Sequence, residues 1–359
     1  MNHLFVQTLR RVAASAAVFA LALGLVLVGA PSVARAGDGS LDLGYKNVGV
    51  SFGNSKQWTG LRLNLQDKGI EQINGLNVTL GKPGQSPAGS VNGVSLALIS
   101  TDAGSINGLN VGVLGLGGDH LRGVNLAAIG FGVEKELVGI GLAGIGMGGG
   151  DMKGIVIGGI GVGGDNMDGV AVGLIGVGGE TMDGIAVGGI GAGADVIRGI
   201  GIGGLGIGGK RLEGFLVGGL GVGGDVVRGV GIGGLGVGGE KLEGFFVGGL
   251  GTGAKKFTGF GIGGLGVGAE DLRGGAIGGL GVGADIFKGV AIGGLAAKFQ
   301  NARWFTVGAF NRASFEMVGV QIGVFNMTEL LHGVQIGVLN YAGNNPKWAR
   351  ILPVVNLNL

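Results

Sequence analysis

Asp165, Asp168 and Asp183 are the side chains of this sequence with the most obvious chemical potential. They fall on successive turns of a repeat, and paired carboxylates can share the acid and base work of glycoside hydrolysis. β-Helical enzymes that cleave polysaccharides carry such acids on one wall, which makes an enzyme of that type one reading. The same acids also recur at periodic turn positions, where hydration and chain reversal already account for them. Groups with tunable pKa values are sparse, so the expectation is a protein that is not an enzyme and has no catalytic residue.

Other chemistries find less support. Histidine is confined to His3, His120 and His332, and cysteine is absent. His120 and His332 have no Cys, His or carboxylate at metal-ligand spacing and read as solvated turn residues, so no metal site is expected. Gly-x-Gly-x-x-Gly occurs repeatedly, as in Gly199-Ile-Gly-Ile-Gly-Gly204, but no strand–turn–helix context surrounds it. It follows from glycine abundance, and no cofactor is expected. Gly218-Gly-Leu-Gly-Val-Gly-Gly-Asp225 is a stretched version of a calcium-binding nonapeptide, with Gly223 in the ligand slot. Lys210 and Lys255 stand where Asp225 would have to bind, and they would repel a cation.

The element that would have to position any site is the repeat itself. From Gly139 to Gly289 a glycine returns every 15 residues. With that glycine as position 0, position 3 is always Leu, Ile or Val, position 6 always Ile or Leu, and position 13 always apolar. Positions 1 and 8 are mostly Val, Ile or Phe. Branched residues at alternate spacing argue for strands, and glycine at this density excludes helix. The alternation changes phase at the glycine of position 4, which predicts a corner with φ > 0 there. A second turn is expected at positions 9 to 12, where glycine meets charged residues. On this reading positions 1, 3, 6, 8 and 13 face inward. Positions 2, 5 and 7, largely Gly or Ala, would form flat outward faces, with Gln321, Gln335, Asn326 and Asn340 making the end coils more polar.

The charges bear on how the strands pair. Position 14 reads Arg198, Glu213, Arg228, Glu243, and position 11 reads Asp195, Lys210, Asp225, Glu240, Lys255, Glu270. In a parallel in-register stack, equivalent positions lie ~4.8 Å apart and opposite charges become neighbours. The fold class expected is therefore all-β, a parallel β-solenoid of about 19 short coils, with openings from Gly60 to Gly333. The rival is an antiparallel outer-membrane β-barrel, since fifteen residues also accommodate a membrane strand and a turn. Only 2 Tyr and 3 Trp are present, which counts against its interfacial girdles.

Four segments follow: a signal peptide at 1–36, an N-terminal cap at 37–59, the glycine-rich solenoid at 60–343 and a C-terminal cap at 344–359. Arg10 and Arg11 precede an uncharged apolar run, and Ala34-Arg35-Ala36 supplies a cleavage site before Gly37. The alternative is an uncleaved anchor. Gly81 to Gly89 reads as a surface loop. The net charge of +2, with both signs interleaved, implies no nucleic acid partner.

Gly319-Val-Gln-Ile-Gly-Val-Phe-Asn326 and Gly333-Val-Gln-Ile-Gly-Val-Leu-Asn340 carry a Gly-x-Gln-Ile-Gly-x-x-Asn pattern. With Gly60-Leu-Arg-Leu-Asn-Leu65, Gly75-Leu-Asn-Val-Thr-Leu80 and the ending Leu352-Pro-Val-Val-Asn-Leu-Asn-Leu359, the chain resembles a bacterial surface repeat-containing family found in spirochaetes. In the middle of the chain the Gln and Asn of the motif give way to small or apolar residues. The resemblance implies an envelope or surface location and transfers no active-site residue. The function expected is an exported, non-enzymatic structural or adhesive scaffold, with self-association, an envelope polymer or a membrane surface as open partners.

Overall fold

The structure, a computed structural model, describes residues 33–37, 39–81 and 88–359. The signal segment before Val33 and most of the Gly81–Gly89 loop lie outside the described residues. The chain is nearly all β, a parallel β-solenoid of about 19 coils with a period near 15 residues. It divides into two compact units, Met1–Gly188 and Gly189–Leu359.

Each regular coil is one bent strand such as Gly206–Gly218, followed by a two-residue bend at Gly219 and Leu220. Neighbouring coils pair in parallel with identical positions opposed: Leu212 meets Val227, and Val227 meets Leu242. The barrel rival is thereby corrected, because its wall would require neighbouring strands to run in opposite directions.

Three breaks make three short sides per coil. One is the bend at positions 5 and 6, and one is position 11, which the pairing skips between Gly209 and Arg211. The third is position 0, where Gly214 has φ +126°. A Cβ there would stand 2.0 Å from the Gly199 carbonyl oxygen, so glycine is required by conformation and by space. The corner expected at position 4 is thus displaced. Gly218 at that position points inward, and its Cβ would fall 1.9 Å from the Gly221 carbonyl oxygen of the same coil. Close approach, not left-handed backbone, explains that glycine.

The interior differs from expectation on one side of the coil. Positions 8 and 13 face inward as expected, for example Val222, Leu212, Leu242 and Phe257. Positions 1, 3 and 6 do not: Ile200, Ile202, Phe215, Phe245 and Leu220 are exposed, whereas position 2 is buried. The interior is too narrow for branched side chains on all three sides, so the third side contributes smaller ones. Along position 2, Gly201, Leu216, Gly231, Phe246 and Gly261 alternate small and large. A Cβ on Gly231 would meet the Phe246 ring at 2.9 Å, and one on Gly261 the Phe257 ring at 2.7 Å. Phe246 and Phe257 meet edge to face with centroids 5.7 Å apart. Side chains at positions 2, 8 and 13, with the glycine or alanine of position 4 between them, make this core.

Toward each terminus the same interior column turns polar. In the first unit it holds Ser51, Arg62, Asn77, Ser95, Asn110 and Asn125, and in the second Thr306, Gln321 and Gln335, all buried. Gln335 Nε2 donates to Gln321 Oε1 at 2.8 Å, and Asn311, Asn326 and Asn340 form an amide ladder with steps of 2.7 Å. The polar residues of the end coils therefore point inward, correcting the expectation of outward ones. Each of Gln321, Gln335, Asn311, Asn326 and Asn340 makes at least one amide bond to an adjacent coil, while Gln321 Nε2, Gln335 Oε1 and Asn311 Oδ1 stay buried without a partner.

Both termini leave the parallel pattern. Val33–Gly37, Ser40–Tyr45 and Val48–Gly53 pair antiparallel before Val48–Gly53 joins Gln57–Asn64 in parallel. Trp58 is buried, its Nε1 donating to the Gly49 carbonyl at 3.1 Å. At the other terminus a short 3-10 turn at Lys347–Ala349 leads into Ile351–Asn358, antiparallel to Phe325–Ala342.

Candidate functional site

The acids singled out by type lie on the charged side of the first unit. Asp168 and Asp183 are registered neighbours, and Lys153 stands opposite Asp168 on the preceding coil. Both border a narrow depression shared with the column Met152, Met167 and Met182. Asp165 sits at the exposed position-11 corner. The two histidines have carboxylate neighbours that sequence spacing did not suggest. His120 Nδ1 lies 4.0 Å from Glu136, and His332 Nε2 lies 4.0 Å from Glu316. Each acid arrives from an adjacent coil, and the coil period was the signal that could have found it. Among the described residues no group of three or more His, Cys, Asp or Glu could hold a metal ion.

The expected charge ladders are present as contacts between coils. Arg228 reaches Glu243 at 2.5 Å and Glu213 at 3.2 Å, and Lys210 reaches Asp195 at 2.7 Å. Lys255 reaches Glu240 at 2.5 Å, and in the first unit Lys153 and Arg122 share Glu136 at 3.0 and 3.3 Å. Among these, the glutamate carboxyls are held below their usual range. Glu213 is lowered chiefly by Arg211 and then Arg228, Glu243 by Lys241 and then Arg228, and Glu136 by Lys153. Such exposed pairs contribute only ~0–1 kcal/mol each, so they set register more than stability.

The side opposite in chemistry is the third one, with positions 1 and 3, and the adjoining corner at position 6. In the second unit Ile190, Leu205, Leu220, Leu235, Leu250, Leu265, Leu280 and Leu295 stand in one exposed column. Ile200, Ile202, Phe215, Ile232, Phe245, Phe260, Val290 and Ile292 are exposed beside it. Phe245 and Phe260 stack with centroids 5.8 Å apart and planes within 3°. In the first unit Ile145, Ile160 and Ile175 stand exposed at position 6, with Ile155, Ile157 and Ile185 alongside. Neither the position-1 and -3 columns nor the position-6 column of these coils carries a charged residue. Contiguous apolar surface on that scale makes this side the candidate site. The sequence reading missed it by assigning these same columns to the core.

Beyond the position-6 ridge the next side presents no side chains. Its outward positions 7 and 9 are glycine, as at Gly206 and Gly208 or Gly221 and Gly223. In the second unit the position-9 column ends at Lys298, which pairs with Gly283, and then Arg312. Trp304 breaks the glycine column of position 0. Its φ is +99°, in backbone space that side chains rarely occupy, and its ring is exposed. No family model, curated protein or solved structure matches the chain.

Proposed function

We propose that the protein is an exported, non-enzymatic scaffold that lays its apolar side against a flat surface. The observation that carries this reading is the segregation of surface chemistry: columns of exposed Ile, Leu and Phe occupy one side while paired charges occupy another. Flat β faces with fixed rows of apolar side chains suit adhesion over an extended area rather than capture of a small ligand. The leader-like residues before Gly37 and the Gly-x-Gln-Ile-Gly-x-x-Asn motifs support an envelope or surface location.

The test is fractionation of a bacterial host making the full chain, with N-terminal sequencing of the product. The scaffold reading expects a chain beginning at Gly37 in the envelope or medium, accessible to protease on intact cells. Its association with isolated envelopes should survive high salt and yield to detergent, since it is apolar. A chain retained in the cytoplasm with Met1 in place would refute export. Envelope binding released by salt alone would refute the apolar contact.

A further inference from the structure

The exposed ridge and the bare glycine side of the second unit fit one occupant, and naming it rests on the scaffold reading above. We infer that this face pairs with a second copy of the chain, the leucine ridge of each copy lying on the glycine side of the other.

Area is the first reason. The ridge alone exposes eight apolar side chains, from Ile190 to Leu295. Roughly 50 Å² of apolar surface from each gives on the order of 400 Å². A standard protein interface takes about 800 Å² from each partner, which the ridge and the bare glycine side beside it supply together.

Preorganisation is the second. The ridge is tied by its own backbone: Leu220 N–H donates to the Leu205 carbonyl at 2.5 Å and Leu235 N–H to Leu220 at 2.6 Å. Branched side chains on a fixed ladder lose little freedom on docking.

Complementarity is the third. At Gly208, Gly223 and Gly238 an added Cβ would find its nearest neighbour 4.0, 3.9 and 3.8 Å away, which is ordinary contact. None of the three has positive φ. The fold itself therefore leaves room for a side chain at position 9, although glycine weakens a strand. A close neighbour outside the coil accounts for keeping that side bare. The rows repeat every ~4.8 Å, a spacing that another stack of the same fold matches along its whole length. A bilayer is the weaker occupant. The flanking ladder alternates Arg228 with Glu213 and Glu243, which gives anionic headgroups no basic rim.

Sedimentation equilibrium of the purified full chain tests this directly. The wild type should self-associate at micromolar concentration. Leu220→Glu with Leu250→Glu should raise the dissociation constant at least a hundredfold while leaving the far-UV spectrum intact. Because the chain contains no cysteine, Gly238→Cys can be blocked with a bulky maleimide after folding. The labelled chain should be monomeric, which keeps the test decisive if the glutamate variant misfolds. A wild type that stays monomeric at a hundred micromolar overturns the pairing, as does a labelled chain that associates normally. If that monomer floats with phosphatidylcholine vesicles, lipid is the occupant; if it binds isolated envelopes instead, the scaffold reading survives and only the pairing falls.

Discussion

Phe245 and Phe246 are adjacent in sequence and opposite in environment, which makes them the sharpest probe of the interior. Phe246 is fully buried, lies over Gly231, where a Cβ would touch its ring at 2.9 Å, and meets Phe257 edge to face. Replacing it with alanine empties a ring-sized space that rigid ladders above and below cannot close, and such changes cost ~3–5 kcal/mol. Phe245 is 41% exposed and stacks on Phe260. Its loss forfeits one aromatic contact and part of its burial, about 1 kcal/mol. Urea denaturation of Phe246→Ala and Phe245→Ala measures the difference. Hydrogen exchange should locate the loss in Gly221–Gly233, Gly236–Gly248 and Gly251–Gly263, since coils in a stack depend on their neighbours. Equal costs, or a larger cost at Phe245, would mean the interior is displaced by one residue. Every inward and outward assignment would then be reversed on that side.

Three further outcomes are expected. Trp304→Gly should raise the melting temperature, because it relieves backbone strain of about 1–3 kcal/mol at φ +99°; a lowered one would show that the ring is held by contacts worth more than the strain. Arg62→Met should cost about 3–5 kcal/mol in urea unfolding, because it strands buried Asp67, which Arg62 Nη1 reaches at 2.5 Å. Asp67→Leu added to it should recover much of that loss, and no recovery would contradict the desolvation reasoning. Acid titration of stability addresses the ladders. Glu136, Glu213 and Glu243 have folded-state pKa values below the ordinary 4.5. Their contribution is complete above that value and disappears as pH falls through the lowered ones. Stability should therefore decline below about pH 4.5, more weakly in high salt, and a decline beginning near neutrality would point to other groups.

The fold class was legible because two independent periodicities agreed. Fifteen-residue spacing implies the coil, and the alternating signs of Arg198, Glu213, Arg228 and Glu243 discriminate parallel from antiparallel pairing. Which residues face inward was half legible. Leu212 and Val222 read correctly because bulky residues at positions 13 and 8 do fill the core. Leu216 and Ile202 read backwards, since the corner falls at position 0 and not at position 4, which turns position 2 inward and positions 1 and 3 outward. The candidate site was hidden for the same reason. Residues such as Leu220 and Phe245 look like core by type, and only the position of the corners at Gly214 and Gly244 turns them toward solvent. The buried amides of Gln321 and Asn326 likewise look like surface residues until their partners one coil away are known.

In the second unit two alternations share one beat. Interior position 2 goes Gly201, Leu216, Gly231, Phe246, and the adjoining outer position goes Arg198, Glu213, Arg228, Glu243. Excising the fifteen residues 221–235 would leave every backbone rung intact, yet it would set Leu216 against Phe246 and Glu213 against Glu243. Excising thirty, 206–235, would restore both sequences of contacts. Viable shortening or lengthening of this stretch therefore proceeds by pairs of coils, and the heritable module is twice the size of the visible one.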